Sequence, residues 1–503
     1  MLAVGLTCTP DADAQRLTPP QLGALLDSVV PAAISATHVP GAVVAVVRND
    51  SVIALRGYGF AELEDSMRAD PERSIYRLAS IAKLFVATVV LNDVHAGKLS
   101  LDRDIQSYVP DVRIPPTFAE PITLRHLLTH TAGFDERVIG YAARSREEMQ
   151  PLGAYLAARL PDRGWAPGVL VSYSNHGVAL AGYIAERANG TSYASLAAQR
   201  LFAPLGMHRT YYIAPPNDSL LRDVAPGYRC GPSGCVRAPI VWTHAYPVGV
   251  AYSTAADMSR FMRAWLANGT LDGQQVIPLE TIQAASSQQF THDKRIPGMG
   301  IAFFEQVFRG ERLLAHSGGA PGTATVMALA PRQRLGVFVA TNAGEPTFTR
   351  PVLETVLAGL LPNALVAPPV AHGSVSEYAG DWILTRYAHR TVERLPASFG
   401  FSVRTWTRGD TLVMPAGSRL RRFVRVDSLL LQEVDDGTRL AFRRDAGGRI
   451  THAFTGLPTG GAELPAAFER VPWYKSGNFL NEYASWLLLL APIVLAVWGL
   501  AAL

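Results

Sequence analysis

The position of the strand signals constrains this chain most. "GAVVAVVRND" (41–50) and "SVIALRGYGF" (51–60) read as two strands around the turn Arg48-Asn49-Asp50-Ser51. β-Branched residues suit extended chain, and Asn and Asp suit the turn. Residues 298–304, 322–330 and 334–341 carry the same signature, the last two joined by Pro331-Arg332-Gln333-Arg334. Between these sets the apolar spacing is helical, over 80–96, 123–131 and 174–188. A further helix is predicted at 18–36, opening on Thr18-Pro19-Pro20. Strands at both ends with helices in the middle predict an α/β sheet domain with a helical insertion.

With 503 residues the chain has room for more than one domain, and its texture changes once. "LLPNALVAPPVAHGS" (360–374) reads as a Pro/Ala linker. Beyond it, 376–470 gives short alternating strands with tight turns such as "RRDAGGRITHAF", predicting a small β-barrel or sandwich. The run "WLLLLAPIVLAVWGLAAL" (486–503) is uncharged and just long enough to cross a hydrocarbon core of ~30 Å. With Tyr483 and Trp486 at its edge, 484–503 is expected to be a transmembrane anchor; a buried helix is the alternative. "MLAVGLTCTPDADAQ" reads as the end of a secretory leader, cut near Ala12-Asp13-Ala14, so 1–14 is expected to be removed on export. The expected location is periplasmic or otherwise extracytoplasmic, anchored to the membrane. In such an oxidising compartment Cys230 and Cys235 of "CGPSGC" can close a small disulfide; a zinc site there lacks a second pair of ligands. Basic residues are scattered, with no basic run interleaved with aromatics, so nucleic-acid binding has no support.

Chemistry enters at "RLASIAKLF" (77–85). It holds one of only four lysines among 46 basic residues, so arginine was used nearly everywhere else. Arg cannot shed its proton in a protein, whereas Lys can when burial or a nearby cation lowers its pKa. Positions i and i+3 share a helix face, so Ser80 and Lys83 are within reach of each other. A helix starting near Ser80 would turn its unpaired N–H groups and positive end toward that serine. Such a pair supplies a nucleophile and its base. The plain alternative is an ordinary surface lysine.

Three other stretches are candidates. "YSN" places Tyr173 and Asn175 just before a helix, as proton relay and substrate clamp, or simply as packing and cap. "HSGGAPG" (316–322) lets a strand edge approach a ligand closely, with the backbone N–H of Gly319 able to join that of Ser80 as an oxyanion hole; a Gly-rich turn is the alternative. "HLLTH" has the i, i+4 spacing of a zinc pair at His126 and His130 but lacks the Glu of H-E-x-x-H, so a structural role is expected.

Ser-x-x-Lys, Tyr-x-Asn and His-x-Gly, in that order, resemble the motifs of the serine β-lactamase and penicillin-binding-protein superfamily. The chain looks most like the class C β-lactamase-related serine hydrolases. "GKLSLDRDIQSYVP" (97–110), "ITLRHLLTHTAGF" (122–134), "SYSNHGVALAGYIAE" (172–186), "LFAPLGMHRT" (201–210) and "YSTAADMSRF" (252–261) carry the likeness too. The resemblance implies an antiparallel sheet flanked by helices over 18–362, a linker at 363–375 and a lipocalin-like β-domain over 376–470. It makes Ser80 the acylated nucleophile and has Lys83 and Tyr173 share general-base and general-acid work. Asn175 would position Lys83 and the substrate, His316 and Gly318 would form the third motif, and Gly319 the oxyanion position. No metal or other cofactor is implied, and the expected partner is a small-molecule or peptide substrate. One departure stands out: His316 sits where the family usually has a lysine that helps hold a substrate carboxylate. His is mostly uncharged at neutral pH, which argues against efficient β-lactam hydrolysis and for an ester or amide substrate. A penicillin-binding D,D-peptidase or a slowly acylated β-lactam sensor is the alternative, and a scaffold with a dead site a more distant one.

Overall fold

The computed structural model describes residues 17–479 and 483, apart from 216, 363–368, 395–399, 417–418 and 457–465. The leader at 1–14, half of the linker and the apolar run at 484–503 lie outside the described residues. No helix among the described residues is long and apolar enough to cross a membrane.

The N- and C-terminal strand sets form one seven-stranded antiparallel sheet. Its strands are β1 (Gly41–Arg48), β2 (Ser51–Glu62), β3 (Met67–Arg68), β4 (Phe304–Phe308), β5 (Glu311–Ala320), β6 (Thr323–Ala330) and β7 (Leu335–Thr341), in the order β4-β5-β6-β7-β1-β2-β3. The run "GAVVAVV" is apolar throughout because β1 is covered on both faces. Ala42, Val44 and Val46 face α1 (Pro19–Thr37) and the C-terminal helix Pro346–Leu360, packing with Leu26, Val30, Val352 and Val356. Val43, Ala45 and Val47 turn to the opposite face, toward Phe261 and Met262 of the helix Ala255–Leu266. There the sheet meets the helical region, whose core is α2 (Ala82–His95) against α3 (Asn175–Asn189). α2 is buried on every side from Ala82 to Leu91, which is why its sequence is apolar all round.

Two expectations change. Residues 298–304 are not a strand: Gly298 and Gly300 pass close to other backbone, Ala302 has φ 59°, and the strand begins only at Phe304. Ile301, Ala302 and Phe303 are fully buried, so their apolar character reported burial rather than extension. The helix expected over 123–131 is only Leu124–Leu128, since His130 turns left-handed at φ 55°.

The last region is a closed antiparallel eight-stranded barrel: β8 (Gly380–Leu384), β9 (Ser402–Arg408), β10 (Thr411–Ala416), β11 (Arg419–Asp427), β12 (Leu430–Glu433), β13 (Arg439–Arg444), β14 (Ile450–Thr455) and β15 (Ala466–Val471). β8 pairs with β15 to close it, Asp381 opposite Val471. Its lumen is filled by Trp382, Leu412, Met414, Phe442 and Phe468 and leaves only ≈ 10 Å³. An eight-stranded barrel is just wide enough for side chains to fill. The barrel seats on the rest of the chain through one apolar cluster, Leu430, Ala441, Phe454 and Ala467 against Leu170 and Ile296.

Candidate active site

Ser80 lies where the sheet edge meets α2. β4 pairs with β5 only as far as Ala315, so His316–Ala320 extends beyond it, and β5 packs on the turn Ala79–Ile81. That turn is pinned from three sides: Leu78 N–H donates to Ala251 (2.8 Å), Thr325 Oγ1 donates to the Leu78 carbonyl (2.9 Å), and Thr323 Oγ1 donates to the Arg77 carbonyl (3.0 Å). Ala79 adopts φ 48°, a left-handed conformation that costs a non-glycine residue about 1 kcal/mol or more. The helix proper starts at Ala82, so Ser80 sits in the short 3₁₀ turn before it.

Lys83 Nζ is 2.8 Å from Ser80 Oγ and donates to the Val248 carbonyl at 3.1 Å. Its side chain is wholly buried, and that burial holds the amine well below the usual lysine range, helped by the charge of Arg386 and opposed by Glu136. Nζ is 5.0 Å from the centroid of the Tyr173 ring. Burial raises the Tyr173 phenol above its ordinary value, while Arg386 and the Ser80 hydroxyl pull it partly back. The site therefore pairs an amine whose hold on its proton is weakened by burial with a phenol that keeps its own.

His316 completes this wall, its ring 6.5 Å from that of Tyr173 and 4.4 Å from Phe304. Nδ1 sits 2.7 Å from the Ser317 carbonyl, and burial, with a push from Lys83, brings the imidazole down to about 3. His316 is thus neutral at physiological pH. Gly318 is a glycine by necessity: a Cβ there would stand 2.2 Å from the Leu78 carbonyl oxygen and 3.1 Å from Ser80 N. Gly319 is exposed and a Cβ there meets nothing.

The Asn175 side-chain amide donates to Glu136 Oε1 at 2.9 Å, and its backbone N–H leans to the same carboxylate. The two histidines of "HLLTH" part company. His126 Nδ1 accepts from the Thr123 N–H at the start of its helix, while His130 is buried 4.2 Å under the Tyr173 ring and accepts from the Ser174 N–H. Cys230 and Cys235 are joined across the hairpin Tyr228–Gly231/Gly234–Arg237. That hairpin flanks a cleft of ≈ 730 Å³ which also reaches Ser317, Gly318 and Gly319.

Two residues at the site carry no motif. Glu136 is one. The other is Arg386, from the segment after β8 of the barrel: its guanidinium carbon lies 4.5 Å from the Tyr173 ring centroid, and it faces Glu136 at 3.6 Å. Only the tertiary contact between barrel and helical region brings it here.

Residues 26–360 match the family described as Beta-lactamase. The chain is 28% identical over 355 residues to "Penicillin-binding protein 4" of Amycolatopsis lactamdurans, covering 66% of this chain and 89% of that protein. It is 28% identical over 309 residues to "D-alanyl-D-alanine-carboxypeptidase/endopeptidase AmpH" of Escherichia coli strain K12, covering 58% and 77%. Among solved structures, the octameric penicillin-binding protein homologue from Pyrococcus abyssi superposes with a TM-score of 0.58 at 22% identity. That match covers 89% of this chain and 100% of the other, and it speaks to the fold alone.

Proposed function

The chain belongs to the β-lactamase family, a superfamily of serine hydrolases, and on that footing we propose that it cleaves an ester or amide through an acyl-enzyme on Ser80. The observation that carries this is the 2.8 Å approach of a fully buried Lys83 amine, held well below the usual lysine range, to Ser80 Oγ. Lys83 takes the Ser80 proton as Oγ bonds to the substrate carbonyl. The backbone N–H groups of Ser80 and Gly319 hold the oxyanion. The protonated Tyr173 hands a proton to the leaving group and recovers one from Lys83. Water then repeats the sequence in reverse to release the acid. The class C-related reading rests on the same motifs. Asn175, held by Glu136, positions Lys83 and the substrate. Neutral His316 gives the third motif no cation of its own for a carboxylate.

The test is intact-protein mass after reaction with a fluorophosphonate and with benzylpenicillin. The wild type gains one phosphonyl adduct; Ser80→Ala gains none, and Lys83→Arg reacts at least ~10³-fold more slowly because its guanidinium keeps its proton. Near-normal labelling of Lys83→Arg would remove the neutral-amine base.

We place the enzyme outside the cytoplasm, anchored by 484–503. The Cys230–Cys235 bond supports the compartment, since such bonds persist under oxidising conditions. A chain lacking 484–503 that still sediments with membranes would sink the anchor.

A further inference from the structure

The segment that carries Arg386 is built into the site from both sides. Ahead of it, Thr385 Oγ1 donates to the Val171 carbonyl (2.9 Å), and Ser172 Oγ donates to the Thr385 carbonyl (3.1 Å). Behind it, the His389 N–H donates to Asp135 Oδ2 (2.8 Å), and Glu393 accepts the N–H of Val138 (2.6 Å). Residues 385–393 of the barrel thus lie clamped along 134–138 and 171–172, the chain that leads into Tyr173. Arg386 is held in place before any substrate arrives.

Its guanidinium is under-used. The contact to Glu136 is 3.6 Å, too long for a hydrogen bond, and Nε is buried with no hydrogen-bond partner among the described residues. Glu136 divides itself, since the same carboxylate also accepts from Asn175. A planar cation with unfilled donors suits a planar anion, and Arg is the side chain that grips carboxylate in bidentate fashion. Meanwhile the third motif offers His316, whose Nδ1 is already engaged with the Ser317 carbonyl. A cation beside Tyr173 that can meet an anionic substrate group therefore comes from the other domain. It rests on the same Tyr173 ring as Lys83, 4.5 Å and 5.0 Å from the centroid respectively.

We propose that Arg386, supplied by the barrel, is the specificity residue of this site: it binds a carboxylate of the substrate, so that the enzyme prefers acyl or peptide substrates bearing a free acid. The proposal rests on the serine-hydrolase reading of Ser80. It gives the filled barrel a purpose on its outer surface rather than in its lumen.

The test uses the full chain and two chromogenic esters that differ in one charge, 4-nitrophenyl hydrogen succinate and its methyl ester. The wild type is expected to prefer the free acid. Arg386→Gln should lower kcat/KM on the free acid about 10- to 100-fold, the range of a lost charge-assisted hydrogen bond, mainly through KM. On the methyl ester the loss should be smaller, limited to what Lys83 and Tyr173 feel of the missing charge, so the free-acid preference is read as the ratio of the two kcat/KM values, and Arg386→Lys should recover part of that ratio. Equal losses on both esters would make the segment merely structural and overturn the proposal, as would a preference that survives Arg386→Gln or is absent from the wild type. Intact mass on Ser80 separates the two readings. If neither ester acylates it, the nucleophile assignment falls and this proposal with it; acylation without charge preference removes this proposal alone.

Discussion

Gly318→Ala sets the sheet edge against the Ser80 turn, and its cost can be worked from distances. The new Cβ would lie 2.2 Å from the Leu78 carbonyl oxygen, 2.4 Å from Thr325 Oγ1 and 3.1 Å from Ser80 N. An ordinary contact needs about 3.5 Å, so something must move by about 1 Å. The hydroxyl of Thr325 can rotate, but it is what holds the Leu78 carbonyl at 2.9 Å, and Leu78 N–H is tied to Ala251. The displacement therefore falls on the backbone of Leu78–Ser80 or of Ser317–Gly319. A misplacement of that size costs roughly 10²-fold in rate when it separates reacting groups, and overpacking costs about 1–3 kcal/mol of stability. Gly319→Ala is the internal control, because its Cβ would meet nothing. The assay is the rate of fluorophosphonate labelling beside urea unfolding of each variant. Gly318→Ala should label about 10²-fold more slowly and Gly319→Ala within about threefold of wild type. If the two alanines label alike, the close seating of β5 on the Ser80 turn is not what shapes the site.

Stability should fall steeply below pH 6.5. Burial brings His176, His292 and His316 to about 3 each, against about 6.5 when unfolded, so between those values the unfolded chain holds more protons and stability rises with pH. At pH 5 each withholds about 2 kcal/mol, and urea midpoints at pH 7.5 and 5.0 measure it; His316→Gln should shrink the difference, and an unchanged difference refutes the assignment. Ala79→Gly should relieve the left-handed strain at φ 48° and stabilise the fold by about 0.5–1 kcal/mol after the glycine's greater unfolded freedom is counted. Urea unfolding reads it, and a variant less stable than wild type would contradict a strained Ala79.

What could be read from the chain depended on how local the physics was. Ser80 and Lys83 were legible because i, i+3 on one turn guarantees proximity, and the scarcity of lysine marked the amine as chosen. The terminal strand sets were legible because each is a run of β-branched residues with its own turn. Residues 298–304 misled because apolar side chains signal burial in a loop as readily as in a strand, and only the φ of Ala302 tells them apart. The direction of Asn175 was invisible for another reason: it is set by Glu136, a carboxylate on a separate loop. Arg386 was further out of reach, since nothing in "ILTRYAHR" differs from an ordinary strand end.

Charge explains why the barrel belongs to the site at all. Burial loosens the proton of Lys83, leaves His316 neutral and keeps the phenol of Tyr173 protonated. That suits proton transfer, which needs a base near its working pH, but it leaves the third motif without a cation for recognition. A lysine in the third motif would add one at a cost, because a second amine there would face the same desolvation. Arg386 avoids this. It arrives from outside the sheet and faces Glu136 at 3.6 Å. Separating the proton-transfer groups from the recognising cation lets burial tune the first without silencing the second.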